Sequence, residues 1–414
     1  MKHPILIALL ALASALASPV TSAKATAQGH PWQGLWQGQV GQQRIVLALH
    51  EDARQNLGGR YFDERYGRDI SLWGPEITAS AQATTVELLE CPPDYGSVHE
   101  PCPHPSARWS VPRPQRQAQG PRAIVLEGTR QPSAPEGRRP PPPELIRLTR
   151  LGDYQSNAEA FGDRYEQRRL LGIRGETVPG GQWGPVRWTW LRDVRSRLTT
   201  PQFTQGATPA VLAHINRGYQ QQWRERISHA LTAVDYEDDV RVVFANTRWL
   251  TTHHSVGYYF AGAAHPSSHF SSQTLDLQTG QPVDWKRVFR LTDPRPVNLD
   301  LNRADLLAAQ VLKAMTAQVA AQPISGQLPD GTDAADERCF AMVLERYQCQ
   351  SGRCASPELL RGNTPANWWI WPTAQGLAVS PDPYPEVARG CRGEHVVLPW
   401  QRVRATLIKP QALP

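Results

Sequence analysis

The chain has 414 residues, of which 40 % are apolar and 20 % charged, with 31 glycines, 37 prolines and a formal net charge of +6. That length holds two or three domains with their own cores, and the composition excludes a collagen, a coiled coil and a wholly disordered chain. The 44 basic residues include only five lysines and are scattered, with no basic helix, finger spacing or RNA-binding strand signature, which argues against a nucleic-acid partner.

Lys2 and His3 precede an apolar run from Ile5 to Ala17, too short to span a bilayer. Small residues follow at Ala15-Leu16-Ala17 and Ala23-Lys24-Ala25. The pattern predicts a secretory signal peptide over 1–25, cleaved after Ala25. Losing Lys2 and Lys24 leaves the mature chain at +4. No later apolar run is long enough for a membrane helix. The expectation is a soluble periplasmic or secreted protein with no transmembrane segment after cleavage.

A β-rich domain is predicted over 32–151. Ile45, Leu47 and Leu49 alternate along one strand, and Gly58-Gly59 and Gly67 mark turns. Short apolar runs at 70–74, 85–89, 123–126 and 145–148 extend the pattern to an antiparallel sheet or small barrel. Twelve prolines between Pro101 and Pro143 predict an irregular insertion over 101–143. Residues 152–194 read as a connector.

An α+β domain, with helices packed on an antiparallel sheet, is predicted over 195–410. Val211, Ile215, Tyr219, Trp223, Ile227 and Leu231 recur every fourth residue and give a long helix one apolar face. The acidic run Glu237-Asp238-Asp239 reads as a solvated turn, and strands follow at 240–250, 256–260 and 271–277. Leu306 to Val319 marks a second helix and Ala334 to Leu344 a third. Strands at 368–371, 377–379 and 395–399 and a helix from Trp400 close the chain. The fold class is therefore α+β, with an antiparallel-sheet-rich N-terminal domain.

Six cysteines, all beyond the leader, fit disulfides in an exported protein. Cys91 and Cys102 stand apart from the rest and can close a small loop. Cys349 can pair with Cys354, which leaves Cys339 for Cys391, although six cysteines allow fifteen pairings. Four residues separate Cys349 from Cys354, and no histidine follows at finger spacing, so no metal is expected.

From Pro201 onward a set of short motifs occurs in one order. They are Ile215-Asn216, Tyr259 to His265, Leu275-Asp276-Leu277-x-Thr279-Gly280 and Trp285 to Phe289. Gly376-Leu377, Pro383-Tyr384, Ala388-x-Gly390 and the Val396–Trp400 edge follow. Together they resemble the two-part exported domain shared by a lysozyme-sensing anti-sigma factor and the non-catalytic module of a peptidoglycan deacetylase. The resemblance covers 195–410, about half the chain. That family reads Gly-Gly-Ala-His where this chain has Gly262-Ala263-Ala264-His265, the Cys-rich stretch 339–354 is additional, and the deacetylase's catalytic domain has no counterpart. The resemblance implies binding to a lysozyme-like enzyme through loops 253–269 and 379–390.

Among chemistry-bearing residues, His265 lies in a small-residue loop, with Pro266 beside it and His269 four positions on. Two histidines at that spacing share a metal on a helix, and Pro266 argues against one. No nucleophile elbow, His-Glu-x-x-His pair or P-loop is present, so no catalytic residue and no cofactor is expected. Trp368, Trp369 and Trp371 cannot all face one way from a strand, and Trp369 is the one predicted to look outward. Tyr384 stands between two prolines in a rigid turn. His265, Pro266, His269, Trp369 and Tyr384 are thus the candidate binding residues. The expectation is a non-enzymatic envelope protein binding a peptidoglycan-degrading enzyme, as inhibitor, sensor or immunity protein, or peptidoglycan itself. The alternatives are an envelope hydrolase using residues of 253–269 and a structural envelope protein.

Overall fold

Ile45, Leu47 and Leu49 point one way from their strand, and the same alternation repeats around an antiparallel meander until the sheet closes on itself. In the computed structural model the described residues are 30–409, apart from 53–54, 77–81, 93–94, 96–100, 117–122, 135–136, 155–162, 293–297, 322–334, 356–367, 382–383 and 385. The predicted leader 1–25 and Pro383 lie outside them. Strand outweighs helix, about 46 % against 22 %, so the chain is mixed α and antiparallel β.

The meander comprises β1 (Gly34–Val40), β2 (Gln43–Glu51), β3 (Asn56–Asp63), β4 (Asp69–Glu76) and β5 (Thr85–Glu90). It continues through β6 (Ala107–Pro112), β7 (Gln115–Arg116), β8 (Ile124–Pro132) and β9 (Glu144–Gly152). β9 returns to pair with β1, while β6 and β7 both pair with β8 as one interrupted strand. The sheet is therefore a closed barrel. Trp32, Trp36, Leu47, Leu88, Trp109 and Leu148 fill it, which makes it a packed core with no lumen. The predicted insertion 101–143 supplies β6, β7 and β8. Its prolines predict an irregular insertion, but Pro112 and Pro132 end strands and Pro140 to Pro143 precede β9, positions where no interior ladder donor is lost.

One charge is buried at the barrel wall. The Glu90 carboxylate accepts from Arg130 Nε at 2.8 Å and Nη2 at 2.7 Å, from Tyr61 Oη at 2.9 Å and from Trp109 Nε1 at 2.9 Å. Burial pushes this carboxyl up, but the Arg130 guanidinium and the Trp109 and Ser106 hydrogen bonds outweigh it and hold it below its ordinary value. The Cys91–Cys102 disulfide follows directly.

Helix α1 (Arg164–Leu170) covers the outer wall. Asp163 caps it by accepting from Tyr165 N at 2.8 Å. Phe62, Val46, Tyr154 and Tyr165 form the apolar contact. Beside it Arg169, fully buried, is paired with Asp69 of β4 and with Glu166 at 3.2 Å, and Arg60 of β3 reaches Asp69 at 3.1 Å and Glu166 at 3.3 Å.

The second half begins with the sheet β10 (Gly175–Trp183), β11 (Val186–Asp193) and β12 (Thr199–Gln205), so the predicted connector 152–194 holds α1 and two strands. Helix α2 (Pro209–Thr232) starts on a Thr208 cap with proline in its first turn. Its face Ile215, Tyr219, Trp223, Ile227 and Leu231 is buried, the upper part against Phe203, Leu250 and Leu275. Next come β13 (Asp235–Ala245), β14 (Trp249–Tyr259) and β15 (Ser267–Asp276), one antiparallel sheet.

The chain continues through α3 (Trp285–Val288), β16 (Leu299–Asp300), α4 (Leu307–Ala321), α5 (Ala335–Arg346) and the short strands β17 (Cys349–Gln350) and β18 (Arg353–Cys354). It ends with β19 (Trp369–Pro372), β20 (Gly376–Ser380), a 3-10 segment Glu386–Cys391, β21 (Val396–Pro399) and α6 (Trp400–Val403). Leu307, Val311 and Met315 of α4 share a core with Leu377, Val379 and Leu398. Cys339 is bonded to Cys391 and Cys349 to Cys354, and none of the six cysteines is free. In chain-entropy terms the 52-residue separation contributes about 2 kcal/mol more than the five-residue one. Among the described residues no helix is long and apolar enough to cross a membrane.

The joint between barrel and second half generates a stability prediction. Arg169→Met removes one of two guanidinium groups from Asp69 and Glu166 and leaves buried charge under-compensated. Urea unfolding should show a loss of about 3–5 kcal/mol, and an unchanged midpoint would refute the assignment.

Candidate functional site

Strand pleat sorts the acidic run into two roles. Residues 237–239, expected in a turn, lie inside β13, because the even positions Tyr236, Val240 and Val242 continue a strand pattern backward through the acids. Glu237 and Asp239 are exposed, whereas the Asp238 side chain is only 2 % exposed. Asp238 is paired with Arg226 of α2 and lies 2.9 Å from His254 Nε2. Arg226 Nη2 also donates to Thr199 O at 2.8 Å, so one guanidinium pins α2 to both β12 and β13. Burial, then Asp238, pushes the nearby Tyr236 phenol above its ordinary value.

A groove of about 380 Å³ opens along this sheet, lined by residues 237–239, 255–257 and 268–270 with Arg389 and Arg392. Cross-strand register aligns Glu237 with Gly257 and Ser268, and Asp239 with Ser255 and Phe270. Asp239 is also paired with Arg241 at 2.5 Å. Across from these acids stand Arg389 and Arg392. Arg392 Nη1 donates to the Ser268 carbonyl oxygen, which ties the C-terminal segment to the β14–β15 hairpin. The Cys339–Cys391 disulfide staples the same segment to α5. Gly393 follows at φ +95°, and a Cβ there would come within 3.1 Å of the Phe270 ring. Only glycine fits both the backbone and the ring.

The predicted residues divide. His269 lines the groove, and its ring centroid lies 6.4 Å from that of Trp369, which is half-buried beside three more deeply buried neighbours, Trp368, Ile370 and Trp371. His265 and Pro266 are exposed at the hairpin tip, outside the groove lining, with His265 Nδ1 3.0 Å from the Pro266 carbonyl oxygen. Tyr384 is 5 % exposed, inside the C-terminal core. Arg389, Arg392 and the Arg226–Asp238–His254 set escaped the sequence reading. The strand-like even positions of 235–245 were the available signal for Asp238, while nothing local marks the two arginines. Among the described residues no group of three or more His, Cys, Asp or Glu is arranged to hold a metal ion.

No family model matches the chain, and no curated protein matches it in sequence.

His253 gives the hairpin a pH response. Its ring packs 5.1 Å from Phe270 and 4.7 Å from Trp371 of β19, and Trp371 packs 4.9 Å from His395. Its Nε2 is buried without a hydrogen-bond partner. Burial, with His395 and Arg241 adding repulsion, lowers its pKa from 6.5 to about 4. The unfolded chain therefore takes up a proton that the folded chain refuses, so folding stability falls as pH drops from 6.5 to about 4 and this contribution is flat above 6.5. His253→Phe should flatten the urea midpoint between those pH values, and an equal acid loss in the variant would show that His253 is not responsible.

Proposed function

We propose that this is an exported, non-enzymatic binding protein of the cell envelope. Its partner is a peptidoglycan-degrading enzyme of lysozyme type, held at the hairpin groove. The observation that carries the reading is the juxtaposition of two sequence-distant segments: hairpin 253–269 and the 386–392 segment are joined through Arg392 and Ser268. These overlap the two loops to which the family resemblance assigns partner contact. The groove sets Glu237 and Asp239 against Arg389 and Arg392, so it offers both signs of charge to a polar protein surface. The leader pattern and three disulfides support export. The net charge of +4 offers no long-range attraction to a basic enzyme, so local complementarity must supply the affinity.

The hydrolase alternative has one feature in its favour, the Asp238–His254 pair at 2.9 Å. That carboxylate is held by Arg226 toward α2, on the sheet face away from Ser255. Such a pairing fits a structural pin better than an oriented base.

Calorimetry of the mature protein against lysozyme and against soluble peptidoglycan fragments tests the reading. Heat is expected with the enzyme at roughly 100 μM, where affinities near −5.5 kcal/mol register, and Arg389→Glu should weaken it about tenfold. Heat with fragments alone would move the partner to the wall polymer. Silence with both would sink the binding reading.

A further inference from the structure

The barrel wall carries a second opening, far in sequence from the groove. β4 and β5 are bridged only at Leu72↔Glu90 and Trp73↔Leu89, and then they part around a cleft of about 440 Å³. The register explains why. Cys91 N donates to Ser71 O, so the odd residues of β5 direct their main-chain groups toward β4. The even ones serve β6, as Arg113 N donating to Thr84 O and the Val86↔Val111 pairing require. The next β4 residue that should meet β5 is Pro75, which has no N–H to give. The ladder stops there.

Thr85 and Glu87 are left with β4-side amide and carbonyl groups that meet no strand among the described residues. Both residues are exposed. Trp73 and Leu89 give the cleft an apolar lining, and Trp73 Nε1 is buried without a hydrogen-bond partner. Alternating unpaired donors and acceptors along one strand, beside an apolar strip, match one class of ligand, an extended polypeptide.

We propose that the β4–β5 cleft is a strand-addition site that takes an extended segment of a partner polypeptide. The incoming strand pairs with Thr85 and Glu87 and sets an apolar side chain against Trp73 and Leu89. This site is independent of the hairpin groove and of the partner proposed there. Its recognition is main-chain in character, so it selects apolar alternation rather than charge.

Glu87→Pro is the discriminating variant. It deletes the docking N–H and leaves the β5–β6 ladder alone, because that N–H faces the cleft. Glu87→Ala controls for the side chain. A displayed library of random heptapeptides is panned on the mature protein and on both variants. Peptides with alternating apolar residues should enrich on the native protein and on Glu87→Ala and fail on Glu87→Pro. No enrichment on the native protein, or equal binding to Glu87→Pro, would overturn the proposal. Hydrogen exchange on the native protein decides the matter even where Glu87→Pro does not fold. A selected synthetic peptide should slow exchange of the Thr85 and Glu87 amides at least about tenfold, and unchanged exchange would overturn the site.

Discussion

The ionic joint around Arg169 is the constraint on which the two halves depend. Arg169 is fully buried on α1, and Asp69 of the barrel and Glu166 of its own helix neutralise it. Ser228 of α2 donates to Glu166 at 2.6 Å, and Arg169 Nη1 donates to Thr232 Oγ1 at 3.3 Å, so the long helix is bound into the same network. Buried charges of this kind tolerate little misplacement, because each lost partner leaves an uncompensated ion. Close approach completes the joint. Arg195 Nη2 donates to Arg169 O at 2.9 Å, and its guanidinium would lie within 2.7 Å of a Cβ at either Gly67 or Gly172. A side chain at either glycine would push Arg195 out and loosen α1 from the barrel.

From that joint the architecture assigns work to surfaces rather than to interiors. The barrel is filled by Trp32, Trp36 and Trp109, so a ligand inside would have to displace core side chains. The proposed recognition is left to the outside. Two surfaces qualify, and they differ in physics. The hairpin groove offers opposed charges on side chains, whereas the β4–β5 cleft offers unpaired main chain beside a buried indole. The first suits a folded protein surface and the second an extended segment.

Much of the framework could be read from the residues. The four-residue spacing from Ile215 to Leu231 gave the long helix, and the alternation at Ile45 to Leu49 gave the start of the barrel, because both patterns reflect burial against a single core. What stayed hidden depends on partners distant in sequence. Barrel closure needs β6 and β8 to meet, and their segment carries so many prolines that its strands look interrupted. Asp238 looks solvated among acids until Arg226, twelve residues earlier, is seen to claim it. The groove needs Arg392 to reach Ser268 across 124 positions, a contact that no local spacing announces. Of the candidate residues, the structure brings His269 beside Trp369 and puts Tyr384 in the core, since a tyrosine between prolines packs as readily as it binds.

The central claim is that a wall-degrading enzyme is held at the hairpin groove, and photo-crosslinking tests it most directly. A photoreactive amino acid is placed at Ser255, on the exposed groove face, and in parallel at Leu145, which is 75 % exposed on the barrel wall. In the cells that make this protein, illumination should give one discrete adduct from position 255, identified by mass spectrometry as a peptidoglycan-degrading enzyme, and none from position 145. No adduct from position 255, or the same adduct from both positions, would contradict the account.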